Sequence, residues 1–432
     1  MPNRSNMRPR AMLYYLCRHT YPITPYPYHC IQPSHSKNNN PHQIPTICTI
    51  MKPSFIILHL FTLASISPLS AQPTPTVADT MATAASCSTT CNFSKTQLIQ
   101  PSSPAITYTG RIDFTNAERP RFTYPGIEIR ISFTGSSIAM KAKPHSGHFI
   151  AQVDNNAPIK ISFADNDTFT ISNTLHTASL HTLTITYINE GYQSLPEFRG
   201  FLIDRNQKAI RPASTHKHTI EFIGNSITCG YGIEAENATD PYTEETANYY
   251  YTYAALTSRR LQAQACIVAR SGIGVYRNYN GPTTGDCVNM NTEYPFTLIY
   301  NNTIPWDFSR FIPELVCINL GTNDTSTQGA DTTLLLNGYL NLYRQVRLHY
   351  PQATILLLSG CMMKDQQLDT ARKAMDKAVS IAKQQGENNI YRFDLTPHDG
   401  SLGYGASYHP SIRQHQKMAD ELVPYIQQIM GW

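Results

Sequence analysis

Four short segments carry residue types suited to acyl transfer: Gly224-Asn225-Ser226, Arg270-Ser271-Gly272-Ile273-Gly274, Gly321-Thr322-Asn323-Asp324 and Tyr408-His409-Pro410. A serine hydroxyl is a weak nucleophile and needs a base beside it, most often a neutral imidazole near pH 7. The oxyanion that forms when serine attacks an ester needs fixed hydrogen-bond donors. Ser226 is the candidate nucleophile and His409 the candidate base. The Ser226 and Gly272 amides and the Asn323 side-chain amide are the candidate oxyanion hole, glycine at 272 letting the backbone approach a ligand closely.

These segments need a frame that brings them together. From Thr219 onward, apolar strand runs (219–223, 265–268, 315–320, 354–358 and 390–394) alternate with helical stretches at about 247–263, 332–349, 366–385 and 411–428. That alternation predicts a parallel sheet with helices on both faces. Three of the four segments directly follow a strand and the fourth lies in the last loop, so all can meet at the carboxyl edge of the sheet. From about Tyr108 to Leu202 the period is two, as in Ile127, Ile129, Ile131 and Phe133 alternating with Glu128, Arg130 and Ser132. Polar turn clusters separate several such runs, which predicts a β-sandwich or jelly roll. The expected architecture is α/β, a three-layer parallel-sheet domain over 213–432 preceded by an all-β domain over 105–212.

Bulk composition narrows the function classes. Apolar residues make up 41% and charged residues 15% of 432, which fits a folded chain, and a net charge of +4 without long basic runs argues against nucleic acid as a partner. Residues 1–50, rich in Asn, His, Pro and Tyr, are read as a mis-translated extension ahead of a start at Met51. Lys52, the apolar run 55–64 and Ser70-Ala71 form a signal-peptide pattern over 51–71, so the expected location is secreted or periplasmic. The apolar run is too short for a membrane span, and 72–104 reads as a linker. Export permits disulfides, and Cys87 and Cys91 are close enough to pair, whereas Cys266 and Cys317 sit in apolar runs and read as core. No Cys/His spacing of a structural zinc site occurs.

The four blocks together resemble the SGNH (GDSL-type) hydrolases. With the strings Ser271-Gly-Ile-Gly-Val-Tyr-Arg-Asn, Trp306-Asp-Phe-Ser-Arg-Phe, Ile318-Asn-Leu-Gly-Thr-Asn-Asp and Tyr408-His-Pro-Ser, the chain resembles carbohydrate esterase family 2 over about residues 105–430. The resemblance implies a jelly roll before an SGNH hydrolase domain, Ser226 as nucleophile, His409 as base, and Gly272 and Asn323 in the oxyanion hole. It implies removal of O-acetyl groups from plant-wall polysaccharides such as acetylated xylan or glucomannan, with no metal and no cofactor. Two positions depart from the pattern. Asn225 stands where the motif usually has Asp, and Ala406 and Ser407 occupy the places where a triad acid precedes the histidine. A main-chain carbonyl is therefore the expected partner of His409, with Asp399 as the nearest carboxylate alternative.

Trp306 and Tyr276 are candidate sugar platforms, and Arg111 a candidate domain bridge or substrate contact. His145 and His148 read as solvated turn residues. Two other functions compete: a lipid or aryl esterase, and a glycan-binding module with little catalysis. Loops rich in Tyr, Asn, Thr and Gly favour a carbohydrate over a lipid. A monomer is the expected state.

Overall fold

The computed structural model describes residues 95–432, apart from residue 328; the signal-like segment and the Cys87/Cys91 pair lie outside the described residues. The period-two region forms two antiparallel sheets. One contains Thr96–Ile99, Phe198–Asp204, Ile138–Ala142 and Thr168–Ser172 in that spatial order. The other contains Ala209–Ile210, Glu128–Thr134, Leu180–Tyr187, Gly147–Val153 and Ile159–Phe163, with Ile106–Thr109 also paired to Glu128–Thr134. Alternation fills one core between them: Ile129, Ile131, Phe149 and Leu183 from one sheet meet Met140, Phe201 and Ile203 from the other.

Beyond this β-sandwich come five parallel strands: β1 (His218–Gly224), β2 (Ala263–Ala269), β3 (Leu315–Asn319), β4 (Thr354–Ser359) and β5 (Ile390–Asp394). Their spatial order is β2-β1-β3-β4-β5. The helices that matter for the site are α1 (Ser226–Cys229), α2 (Tyr253–Arg260), α3 (Thr332–His349), α4 (Asp365–Gln384) and α5 (Ile412–Met430). Successive strand residues point to opposite faces. Val316, Ile318, Ile355 and Leu357 pack with α3 and α4, through Leu342, Val346, Ala371 and Met375. Cys317, Leu356 and Leu358 pack with α2 and α5, through Tyr253, Ala254, Met418 and Leu422. The result is the three-layer α/β domain that the strand–helix alternation calls for.

One helix differs from its expected span. The stretch 247–263 is broken because Asn248 and Thr252 each cap a separate piece. Asn248 caps a short turn at Tyr249–Tyr251, and Thr252, in extended backbone, restarts the chain as α2. Two side chains that satisfy backbone N–H groups outweigh the continuous helical pattern.

The two domains share a buried seam. Ile188, just past a sandwich strand, is buried among Phe222, Ile227 and Cys229 of the α/β domain. Arg111 of the sandwich is fully buried. It donates to the carbonyls of Tyr294 and Phe296, the latter at 2.8 Å, and lies 3.7 Å from the Glu221 carboxylate on β1. Burial pushes the Glu221 carboxyl up, opposed by Arg111 and by hydroxyls from Tyr294 and Tyr350. Arg111 is thus an internal bridge, and its burial removes it from any substrate surface. Trp306, expected as a sugar platform, is likewise buried. The Arg111 and Arg310 guanidiniums lie 5.3 and 5.0 Å from its ring centroid, and its burial leaves no face for a sugar.

Removing one partner of a buried ion pair strands the other charge, at a cost of about 3–5 kcal/mol. Arg111→Ala is expected to lower the thermal unfolding midpoint strongly while leaving KM of the remaining folded enzyme near wild type. A raised KM with an unchanged midpoint would return Arg111 to a substrate role.

Candidate active site

Strand register sets the stage. Gly224, the last residue of β1, pairs with Ala269 at the end of β2 and with Asn319 at the end of β3. The segments starting at Asn225, Arg270 and Leu320 therefore leave the sheet at one level, on adjacent strands about 5 Å apart. The strand order reverses between β1 and β3, which is the crevice where open α/β sheets bind ligands.

Ser226 opens α1. Asn225 caps that helix: its side-chain oxygen accepts the Ile227 N–H at 3.1 Å, a task that an amide performs as well as a carboxylate. Thr228 of α1 folds back over Gly224, where an added Cβ would collide with its Oγ1. Glycine is required here by this close approach.

His409 comes from the turn before α5. Its Nε2 lies 2.9 Å from Ser226 Oγ. Its Nδ1 lies 3.1 Å from the Ala406 carbonyl and 3.3 Å from that of Ser407. Carbonyls only accept, so Nδ1 carries the proton and Nε2 presents a lone pair to the Ser226 hydroxyl. The turn is strained to achieve this, with Ser407 and Tyr408 in left-handed backbone at φ 50° and 60°. It is held by bonds from Ala406, Ser407 and Tyr408 N–H to the carbonyls of Gly232, Asp240 and Ala238. Tyr231 stacks on the imidazole at 4.2 Å, and Tyr242 backs Tyr231 at 4.5 Å. Burial pushes the His409 pKa down to about 4, against the opposing pull of the two carbonyls.

Asp399 is exposed and turns its carboxylate onto Ser401, accepting the N–H at 2.9 Å and the hydroxyl at 2.6 Å. It closes its own turn and makes no contact with His409.

The other two segments flank this pair. Gly272 has φ 78°, and a Cβ there would meet nothing within 4 Å, so open space lies beside it. Asn323 is buried and donates one amide hydrogen to the Ile273 carbonyl at 2.7 Å, which orients the amide and leaves its second hydrogen for a ligand. Asp324 accepts the N–H groups of Val275, Tyr276 and Arg277 at 2.9–3.0 Å, so the Gly-Thr-Asn-Asp turn holds the Ser-Gly loop in place. Tyr276 itself is buried, its hydroxyl accepting from Asp331 N–H at 2.9 Å. It packs the core and offers no platform. Exposed tyrosines lie elsewhere: Tyr279, whose N–H bonds Gly272 O, Tyr300, whose hydroxyl accepts from Arg270, Tyr192 against Tyr300, and Tyr408 beside His409. Cys229, one turn after Ser226, is a buried thiol with its pKa pushed up by burial, unsuited to nucleophilic work.

Residues 108–212 match the carbohydrate esterase 2 N-terminal family and residues 222–417 the GDSL-like lipase/acylhydrolase family. A solved family two carbohydrate esterase from Clostridium thermocellum, in complex with cellohexaose, is 36% identical, with a TM-score of 0.68 over 76% of this chain and 99% of that one. The chain belongs to carbohydrate esterase family 2. Cellulase/esterase CelE of Acetivibrio thermocellus is 35% identical over 335 residues; the match takes in 76% of this chain and spans 40% of that relative's length. An acetylxylan esterase / glucomannan deacetylase of Cellvibrio japonicus is 28% identical over 345 residues, 79% of this chain and 93% of the relative. In this family 2 chain, sequence reasoning missed Tyr231, Asp324 and the rim tyrosines. Asp324 lies inside a quoted motif and Tyr231 five residues past Ser226, but which partners they meet depends on tertiary contacts.

Two outcomes follow from the histidine's surroundings. With His409 as the general base, its neutral form is the competent one, so kcat/KM should fall as pH drops through the His409 pKa and stay level above it. The acid limb is expected well below 6.5, the ordinary imidazole value. An acid limb at 7 in the pH profile would require a charged partner for the ring. Asp399→Asn should change kcat by less than about tenfold, since loss of a true triad carboxylate costs about 10⁴. A loss of 10³ in a folded variant, checked by circular dichroism, would make Asp399 the orienting acid.

Proposed function

We propose that this chain is a secreted or periplasmic serine esterase that removes O-acetyl groups from plant-wall polysaccharides, acetylated xylan or glucomannan, through an acetyl-enzyme. The observation that carries the reading is the Ser226–His409 contact at 2.9 Å, at the sheet edge where the Gly272 segment also leaves its strand. In this mechanism Ser226 Oγ attacks the acetyl carbonyl while its proton passes to His409 Nε2. The Ser226 and Gly272 amides and the free hydrogen of Asn323 receive the oxyanion. The carbon–oxygen bond to the sugar then breaks, and His409 returns the proton to the sugar hydroxyl. Water, deprotonated by the same Nε2, attacks the acetyl-enzyme, the acetyl carbon–Oγ bond breaks, His409 returns the proton to Ser226 Oγ, and acetate leaves.

The carbohydrate assignment draws on the relatives named acetylxylan esterase / glucomannan deacetylase and on the rim chemistry. Tyr192, Tyr279, Tyr300 and Tyr408 are exposed, and aromatic rings with polar tips suit pyranose rings better than acyl chains. Among the described residues, no helix is long and apolar enough to cross a membrane. The proposed location rests on the signal-like pattern at residues 51–71.

Acetate release from acetylated xylan and acetylated glucomannan tests the reading. Ser226→Ala should lose at least about 10³ in rate without unfolding, and residual turnover of a tenth of wild type would sink the assignment. Asn323→Ala should lower kcat by about 10²–10³ with KM little changed, as for one lost oxyanion donor. A change confined to KM would place Asn323 in ground-state binding instead.

A further inference from the structure

The loop bearing Gly272 is held at its far end by Asp324 of its own domain. Its near end is held from the other domain. Glu190, in the sandwich segment just past Leu180–Tyr187, is buried against the α/β domain. Its Oε1 accepts the Ser271 N–H at 2.7 Å, and its Oε2 accepts the Ser271 hydroxyl. The buried Cys229 thiol, on the helix that Ser226 opens, lies near the same carboxylate. Arg270 supplies the opposing charge. It also pairs with Glu293 at 3.1 Å and donates to Tyr300 Oη at 2.7 Å.

Glu190 is itself firmly seated. Tyr249 N–H bonds Ile188 O at 3.1 Å, Gly191 N–H bonds Thr123 O at 2.8 Å, and Asn189 Nδ2 donates to Glu244 O at 2.9 Å. His148, read from sequence as solvated, is instead tied to Asn189, its N–H bonding Oδ1 at 2.7 Å.

Gly272 needs such support. Its carbonyl accepts the Tyr279 N–H at 2.8 Å, but its own N–H lies on the peptide plane shared with Ser271, so the direction of that N–H is set through Ser271. With Ser271 free, the Gly272 N–H could swing away from the reacting carbonyl. Displacement of a positioned group by about 1 Å costs on the order of 10²-fold in rate.

We propose that Glu190 is a positioning residue for the reaction: the β-sandwich reaches into the active site and sets the direction of the Gly272 amide through Ser271. This rests on the serine-esterase reading above, in which Gly272 is an oxyanion donor. The β-sandwich then takes part in catalysis as well as in stability.

The test uses the whole enzyme with a small activated acetate ester, acetylated xylan and a boronic acid that forms a tetrahedral adduct on serine. Rates are normalised to active sites titrated with a fluorophosphonate. Glu190→Ala should lower kcat about 10²-fold, leave KM within about threefold and weaken the boronate by the same factor as kcat. Glu190→Gln should recover to within about tenfold of wild type, because its oxygen can accept the Ser271 N–H and its amide can donate to the Ser271 hydroxyl. A fall in melting temperature with kcat per titrated site and boronate affinity unchanged would overturn the proposal. So would Glu190→Gln as impaired as Glu190→Ala. Should Glu190→Ala fail to fold, Ser271→Ala removes one of the two contacts at little structural cost. It should lower kcat roughly tenfold, and an unchanged kcat there would equally overturn the proposal. Ser226→Ala separates the two claims: persistent turnover would defeat the serine mechanism itself, whereas Ser226-dependent turnover indifferent to Glu190 would defeat only the positioning role.

Discussion

The candidate site depends on one constraint in the sheet, the shared level at which β1, β2 and β3 end. Ala269 and Asn319 are the register partners of Gly224 on its two sides, so three loops depart together. A parallel sheet buried on both faces has little freedom to slip, because a one-residue shift would exchange the side chains that face α3 and α4 with those that face α2 and α5. Core packing far from Ser226 therefore sets the height of Ser226, Gly272 and Asn323. The loops need only supply the final ångström.

That final ångström comes from carboxylates acting as acceptors of backbone N–H groups. Asp324 gathers three amides of the Ser-Gly loop, and Glu190 takes a fourth from the opposite side. Buried carboxylates are costly unless their lone pairs are filled. Here each is filled by groups whose placement matters, so desolvation and orientation are met by the same bonds. The Arg111–Glu221 pair does similar work deeper in the seam, tying the sandwich to β1 itself.

The sheet, its helices and the four reactive segments were legible because they are written in local pattern: period two, apolar strand runs, and motifs at strand ends. The missing acid beside His409 was legible too, since Ala406 and Ser407 are visibly not carboxylates. What the sequence could not show was which polar and aromatic side chains tertiary packing would bury. Arg111, Trp306 and Tyr276 have the chemistry of sugar contacts, and only tertiary packing reveals that their faces are covered. Glu190 carries the opposite lesson. It follows a sandwich strand far from any motif, and nothing in its neighbourhood marks it as a partner of Ser271. The break before Tyr253 was hidden because Asn248 and Thr252 are weak signals inside a helix-like run.

The turn that aims His409 moves the burden of specification from side chains to backbone. A carbonyl acceptor is carried by all twenty amino acids, so no ordinary substitution at Ala406 or Ser407 deletes it. Heritable change must instead act where the chain path is decided. Ser407 and Tyr408 must tolerate left-handed backbone, and Gly232 must stay small, because a Cβ there would strike Ala406. Mutational scanning of this turn would thus show a permissive pattern in chemical type and a narrow one in shape, the reverse of what a titrating acid imposes.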